Sequence, residues 1–192
     1  MELKKKYLSV VSMNCDKWLA VWIAVKFGRD CLPIWTERRP SDIRPMVALE
    51  TAEAWLKYPE TASLYDARAA ARDSNKAAEA AVSSMNVKMS SSCPSIAYSC
   101  AHIAELAGIK EPKDDSYHGG YPIYPIAFSA ANALGARGRR RIQYVHRILD
   151  KNLPFIIDYK IKHGQKFRDF EEVFSAASDK NKEKLLFLLG DQ

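Results

Sequence analysis

The stretch Arg38-Arg39-Pro40-Ser41-Asp42-Ile43-Arg44-Pro45 runs directly into Met46-Val47-Ala48-Leu49-Glu50-Thr51-Ala52-Glu53-Ala54-Trp55-Leu56. Two prolines and one acid bracket a charged turn, and Pro45 suits a first helical position, where its missing N–H would have no intrahelical partner. Ala48, Leu49, Ala52, Trp55 and Leu56 then recur at three- and four-residue spacing, with Glu50, Glu53 and Lys57 on the other side. The spacing predicts an amphipathic helix with Trp55 as a core anchor, ending at Tyr58-Pro59. The turn before it is a structural joint. Asp42 is expected to accept hydrogen bonds from backbone N–H groups and arginines there, with Arg38, Arg39, Asp42 and Arg44 as candidates for a partner-binding surface.

Upstream, Asp16 to Phe27 is apolar almost all round, and Gly28 is placed as a C-terminal stop. A second short helix is expected from Asp30 to Thr36, with Pro33 in its first turn. Downstream, Thr61 is positioned to cap an Ala-rich helix running from Ala62 to about residue 88, either continuous or broken near Asp73-Ser74-Asn75. Ser92-Cys93-Pro94 opens another helix, with Ile96, Ser99, Cys100, Ile103, Leu106 and Ala107 on one stripe and Gly108 at its end. The fold class is therefore mainly α, a helical bundle of hairpins over residues 8–108.

Proline, glycine and paired aspartates make 109–125 a loop. Beyond it, 126–192 reads as a helical C-terminal region packed on the bundle, with helices over 126–134, 139–150, 170–178 and 181–189. Residues 155–161 suit either a strand or a buried helix.

The joint and its surroundings resemble the Imm-5-like family of putative immunity proteins. The residues that carry the likeness are Arg39, Pro40, Asp42, Arg44, Pro45, Ala48, Leu49, Glu50, Ala54 and Trp55, with Cys31, Leu32 and Pro33 fitting the preceding helix. The Ala-rich segment after Thr61 is also similar, although where the family uses Ala and His this stretch has the single His102. The likeness covers residues 15–107. It implies a small cytoplasmic α-helical protein that binds and blocks a protein partner, with no catalytic residues to carry over. The partner would be a toxin in a toxin–antitoxin pairing, or a host defence protein where the gene rides on a phage or other mobile element.

Charge is uneven. The balance of Lys and Arg over Asp and Glu is +2 for residues 1–60, −1 for 61–115 and +5 for 116–192. Within 137–168 it reaches +8, with aromatic residues interleaved among the cations. Cations contact phosphates and aromatic rings stack on bases. Arg137, Arg139, Arg140, Arg141, Tyr144, Arg147 and Lys151 are therefore candidates for nucleic-acid binding, and a regulator using segment 137–168 is the alternative function. Against it, Ile142, Val145, Ile148 and Leu149 form a core-facing stripe whose outer face would be charged in any case.

No catalytic or metal motif stands out. Cys93 and Cys100 share a helix face, but His102 is turned about 200 degrees from Cys100 at roughly 100 degrees per residue. No C-x-x-C, H-E-x-x-H, G-x-S-x-G or phosphate-loop pattern occurs. The four cysteines are expected as reduced core thiols, with no metal and no cofactor. The longest apolar run near the N-terminus, Trp18 to Val25, is too short to span a bilayer.

Overall fold

The computed structural model describes residues 16–84, 92–109, 123–136, 139–163, 179 and 181–183. Six helices account for most of them, α1 (Lys17–Arg38), α2 (Arg44–Lys57), α3 (Leu64–Ser83), α4 (Ser92–Gly108), α5 (Ile123–Ala133) and α6 (Arg139–Lys162), and residues 179 and 181–183 are helical as well. Among the described residues there is no strand, and no helix is long and apolar enough to cross a membrane. The mainly α expectation holds.

Asp16 starts α1 by accepting a hydrogen bond from the Leu19 N–H at 2.8 Å. The helix does not stop at Gly28, and the two helices expected on either side of it are one, continuous to Arg38. The glycine is there for packing. A Cβ at Gly28 would lie 2.7 Å from Ile103 Cδ1 and 2.8 Å from Leu49 Cδ1, so its bare backbone lets α2 and α4 side chains close on α1. Pro33 is accommodated inside the helix because the carbonyl its missing N–H would have bonded belongs to Arg29, on the exposed side where water is available.

The Ala-rich segment forms the single unbroken α3. Its cap is Ser63, which accepts from the Asp66 N–H at 3.1 Å, and not the expected Thr61. Ala67, Ala70, Ala71, Ser74, Ala77, Ala78 and Ala81 form the buried face, small enough for close approach by α4. Ser74 does not break the helix, because its hydroxyl reaches across to the Ala97 carbonyl of α4 at 2.8 Å. Two residues further along α4, the buried Ser99 hydroxyl donates to Ile126 O of α5 at 3.2 Å. Two serines thus link three helices through α4, each satisfying a polar group that would be costly to bury unpaired. Gly108 ends α4 as expected, against Arg68, whose Nε donates to the Gly108 carbonyl at 3.0 Å.

Helix α5 begins at Ile123, inside the expected loop, since Pro125 fits its first turn. It packs on α4 and α1, and α6 packs on α5 and α1. Residues 155–161 are helical, for α6 runs unbroken through Pro154. A proline removes the donor for the carbonyl four residues earlier, here that of Asp150. Asn181 supplies it, its side-chain amide donating to Asp150 O at 2.9 Å and to Asp150 Oδ1 at 3.0 Å. Residues 181–183 are helical as expected, while the helix anticipated over 170–178 lies outside the described residues.

Candidate partner-binding surface

The joint between α1 and α2 is built around Trp35, which is fully buried. Its indole N–H donates to the Asp42 carbonyl at 2.6 Å, while the Arg39 N–H closes α1 on Trp35 O at 2.7 Å. The Asp42 N–H then turns back to Arg39 O at 3.1 Å. The Arg39 guanidinium lies 5.6 Å from the centroid of the Trp35 ring and also donates to the Ser84 hydroxyl at the end of α3. Chain ends of three helices are tied together here.

Asp42 is held mainly by a side chain. Arg44 Nε donates to Oδ1 at 2.8 Å and Nη2 to Oδ2 at 2.7 Å, a two-pronged pairing, whereas the Arg44 backbone N–H is at 3.3 Å, the long end of the range. The formal cap of α2 is Ile43, without a side-chain hydrogen bond. The Arg44 guanidinium holds the Asp42 carboxyl below the usual carboxylate range, and the carboxylate raises Arg44 in return. Of the sequence candidates, Arg39, Asp42 and Arg44 therefore bond within the joint, and Arg38 is exposed in the last turn of α1.

Beside the exposed Glu37, Arg38 and Ser41, the joint also turns apolar side chains outward. Ile43 is 53% exposed and Val47, one helical turn on, is 40% exposed. Val82 is exposed in the last turn of α3, two residues before the Ser84 that receives Arg39. Sequence reasoning missed Ile43 and Val47, although both fall off the apolar stripe of Ala48, Leu49, Ala52, Trp55 and Leu56.

Along α6 the arrangement is reversed. Arg139, Arg140, Arg147 and Lys151 are exposed, and Arg137 lies outside the described residues. Arg141 is half-buried with its guanidinium 5.0 Å from the Phe128 ring centroid. Tyr144 is buried against Phe27 at 6.0 Å between centroids, so its ring faces are not open to a base. Burial raises its phenol pKa well above the usual range. Asp30 adds to this electrostatically, although the hydroxyl has no hydrogen bond of ordinary geometry. Arg147 stands 4.0 Å from the Asp30 carboxylate.

The other aromatics of this segment stack on α1. Phe155 lies 4.0 Å from Trp22 and Tyr159 lies 4.9 Å from Trp18, ring centroid to ring centroid. The Tyr159 hydroxyl donates to Asp16 Oδ2 at 2.9 Å, and the Trp18 indole N–H to Leu56 O at 3.0 Å. Sequence reasoning missed this seam. Its signal was two matching four-residue rows, Trp18, Trp22 and Lys26 against Phe155, Tyr159 and His163. It also missed Lys17, which is buried at the head of α1. Its ammonium donates to Ile109 O at 2.5 Å, just past the end of α4 where carbonyls favour a cation, and lies 4.2 Å from the buried Trp55 ring.

Cys31, Cys93 and Cys100 are buried free thiols, and burial pushes Cys100 up to about 12. Cys15 lies outside the described residues. His102 points the other way, its Nδ1 3.4 Å from the Glu105 carboxylate. Among the described residues no cluster of His, Cys, Asp or Glu could hold a metal ion.

Residues 12–107, half of the chain, match the family profile described as Imm-5 like putative immunity protein. That span includes the whole joint. No curated protein and no solved structure matches the chain.

Proposed function

Because the chain belongs to the Imm-5-like family of putative immunity proteins, we propose that it is a non-enzymatic cytoplasmic protein that occludes a protein partner with the α1–α2 end of the bundle. The partner is a toxin of a toxin–antitoxin pair, or a host defence protein if the gene is carried by a phage. The observation that carries this reading is the exposed pair Ile43 and Val47 on a joint whose backbone and charged groups are already fixed. Apolar side chains on a pre-ordered surface lose little conformational entropy on binding, which is what a tight occluding contact needs.

The test is co-expression with the product of a neighbouring toxin gene, followed by light scattering on the purified mixture. A complex of fixed stoichiometry is expected. Ile43→Asp or Val47→Asp should each weaken it by roughly a hundred-fold while leaving the unfolding midpoint in place. An equally tight complex with both variants would move the contact elsewhere on the molecule.

A second reading has one observation in its favour, the exposed cationic row of Arg140, Arg147 and Lys151 along α6. If that row contacts nucleic acid, changing all three to Gln should flatten the slope of log K against log salt by about 2 to 3. An unchanged slope removes the row from consideration.

A further inference from the structure

The seam between α1 and α6 holds a groove that occlusion of a partner at the joint does not use. Its volume is about 420 Å³, and it is lined by Trp18, Phe155, Asp158, Tyr159, Lys162 and His163. That is within the usual size range of small-ligand sites, about 300 to 1,000 Å³. Its wall is a ladder of rings. Trp22 stacks on Phe155, Trp18 lies between Phe155 and Tyr159, and Tyr159 stacks on His163 at 4.3 Å between centroids.

Three properties narrow what the groove can hold. The wall is stiff, since the Tyr159 phenol is tied to Asp16 and the Trp18 indole to Leu56. The ladder is closed at one end by the Lys26 ammonium, 4.3 Å from the Trp22 centroid, and its other end is the exposed His163. The rings also stack on one another instead of forming the walls of a box. Most faces that would attract an organic cation are thereby covered, and the end of the stack is left for one more flat ring. Lys162, exposed beside His163, adds a positive charge at that end.

We propose that this groove binds a planar aromatic ligand bearing an anion, of the nucleoside monophosphate class. The base extends the Tyr159–His163 stack and the phosphate meets the Lys162 ammonium. The same chemistry is offered by a free nucleotide and by one nucleotide of a single strand.

Calorimetric titration of the full chain tests this with adenosine monophosphate, adenosine, inorganic phosphate and a single-stranded oligodeoxyadenylate at one ionic strength. Adenosine monophosphate is expected to saturate at millimolar concentration or below, with adenosine weaker by about ten-fold and inorganic phosphate weaker still. His163→Ala and Lys162→Gln should each cost about ten-fold without moving the unfolding midpoint. Changing Arg140 and Arg147 to Gln should leave this affinity unchanged, which separates the groove from the cationic row. An oligonucleotide no tighter per nucleotide than the monophosphate identifies the free nucleotide as ligand, and a tighter one identifies a strand. No saturation with adenosine monophosphate, equal competition by inorganic phosphate, or affinity unchanged in both groove variants overturns the assignment.

Discussion

The α1–α2 joint and the outer face of α6 make opposite use of their side chains. At the joint, Asp42 and Arg44 pair with each other and Arg39 bonds to Ser84, while Ile43 and Val47 are left outside beside the partly exposed Arg44 guanidinium. Along α6, Tyr144, Phe155 and Tyr159 turn inward or stack on α1, and Arg140, Arg147 and Lys151 are left outside. In sequence the joint looks like a charged patch and α6 like alternating cations and base-stacking rings. In the fold the first exposes Ile43 and Val47 beside its charged groups, and the second is a cationic row with most of its rings engaged elsewhere. Residue type alone therefore does not tell which of these side chains meet solvent.

Trp35→Ala is the severest challenge to this contrast. It removes a fully buried ring together with the hydrogen bond to Asp42 O. The expected loss is about 4 kcal/mol in denaturant unfolding. A loss under about 1 kcal/mol would show that the joint does not depend on Trp35.

Phe155→Ala examines the other region. The ring is 40% exposed yet stacked on Trp22, so its removal should cost about 1 to 2 kcal/mol and raise tryptophan accessibility to a soluble quencher. Unchanged stability and quenching would mean that the ring is a surface group, open to a partner after all.

Asp42→Asn gives a smaller effect with a defined pH sign. A carboxyl whose folded pKa lies below its unfolded one contributes stability above about pH 4 and loses it as the pH falls through the folded value. The variant should therefore be less stable than wild type by about 1 kcal/mol at neutral pH, with the gap closing under acid conditions. A gap that stays constant down to about pH 2 would exclude the Arg44 pairing as its source.

The smallest expected effect is that of Ile43→Ser combined with Val47→Ser. Both side chains are exposed, so stability should stay within about 0.5 kcal/mol while partner binding falls. A large drop in unfolding midpoint would place them in the core and undo the contrast.

The sequence by itself determined the helical class, the amphipathic helix after Pro45, its stop at Tyr58, the burial of Trp55 and the end of α4 at Gly108. Each follows from side chains within a few positions of one another on the same helix, which is the range over which periodicity and turn chemistry act. The tertiary structure decided the rest. Gly28 reads as a stop but serves as a contact point for Leu49 and Ile103, and the break left open near Ser74 is closed by its bond to Ala97 O. Residues 155–161 read as either strand or buried helix, and the fold makes them helical through Pro154, with Asn181 supplying the donor the proline ring removes. The signals that misled are residues whose local cost is real and whose compensation lies at a distant position in the chain. No local pattern can register a hydrogen bond or a ring face contributed from there, and the same holds for which side of the joint and which side of α6 meets solvent.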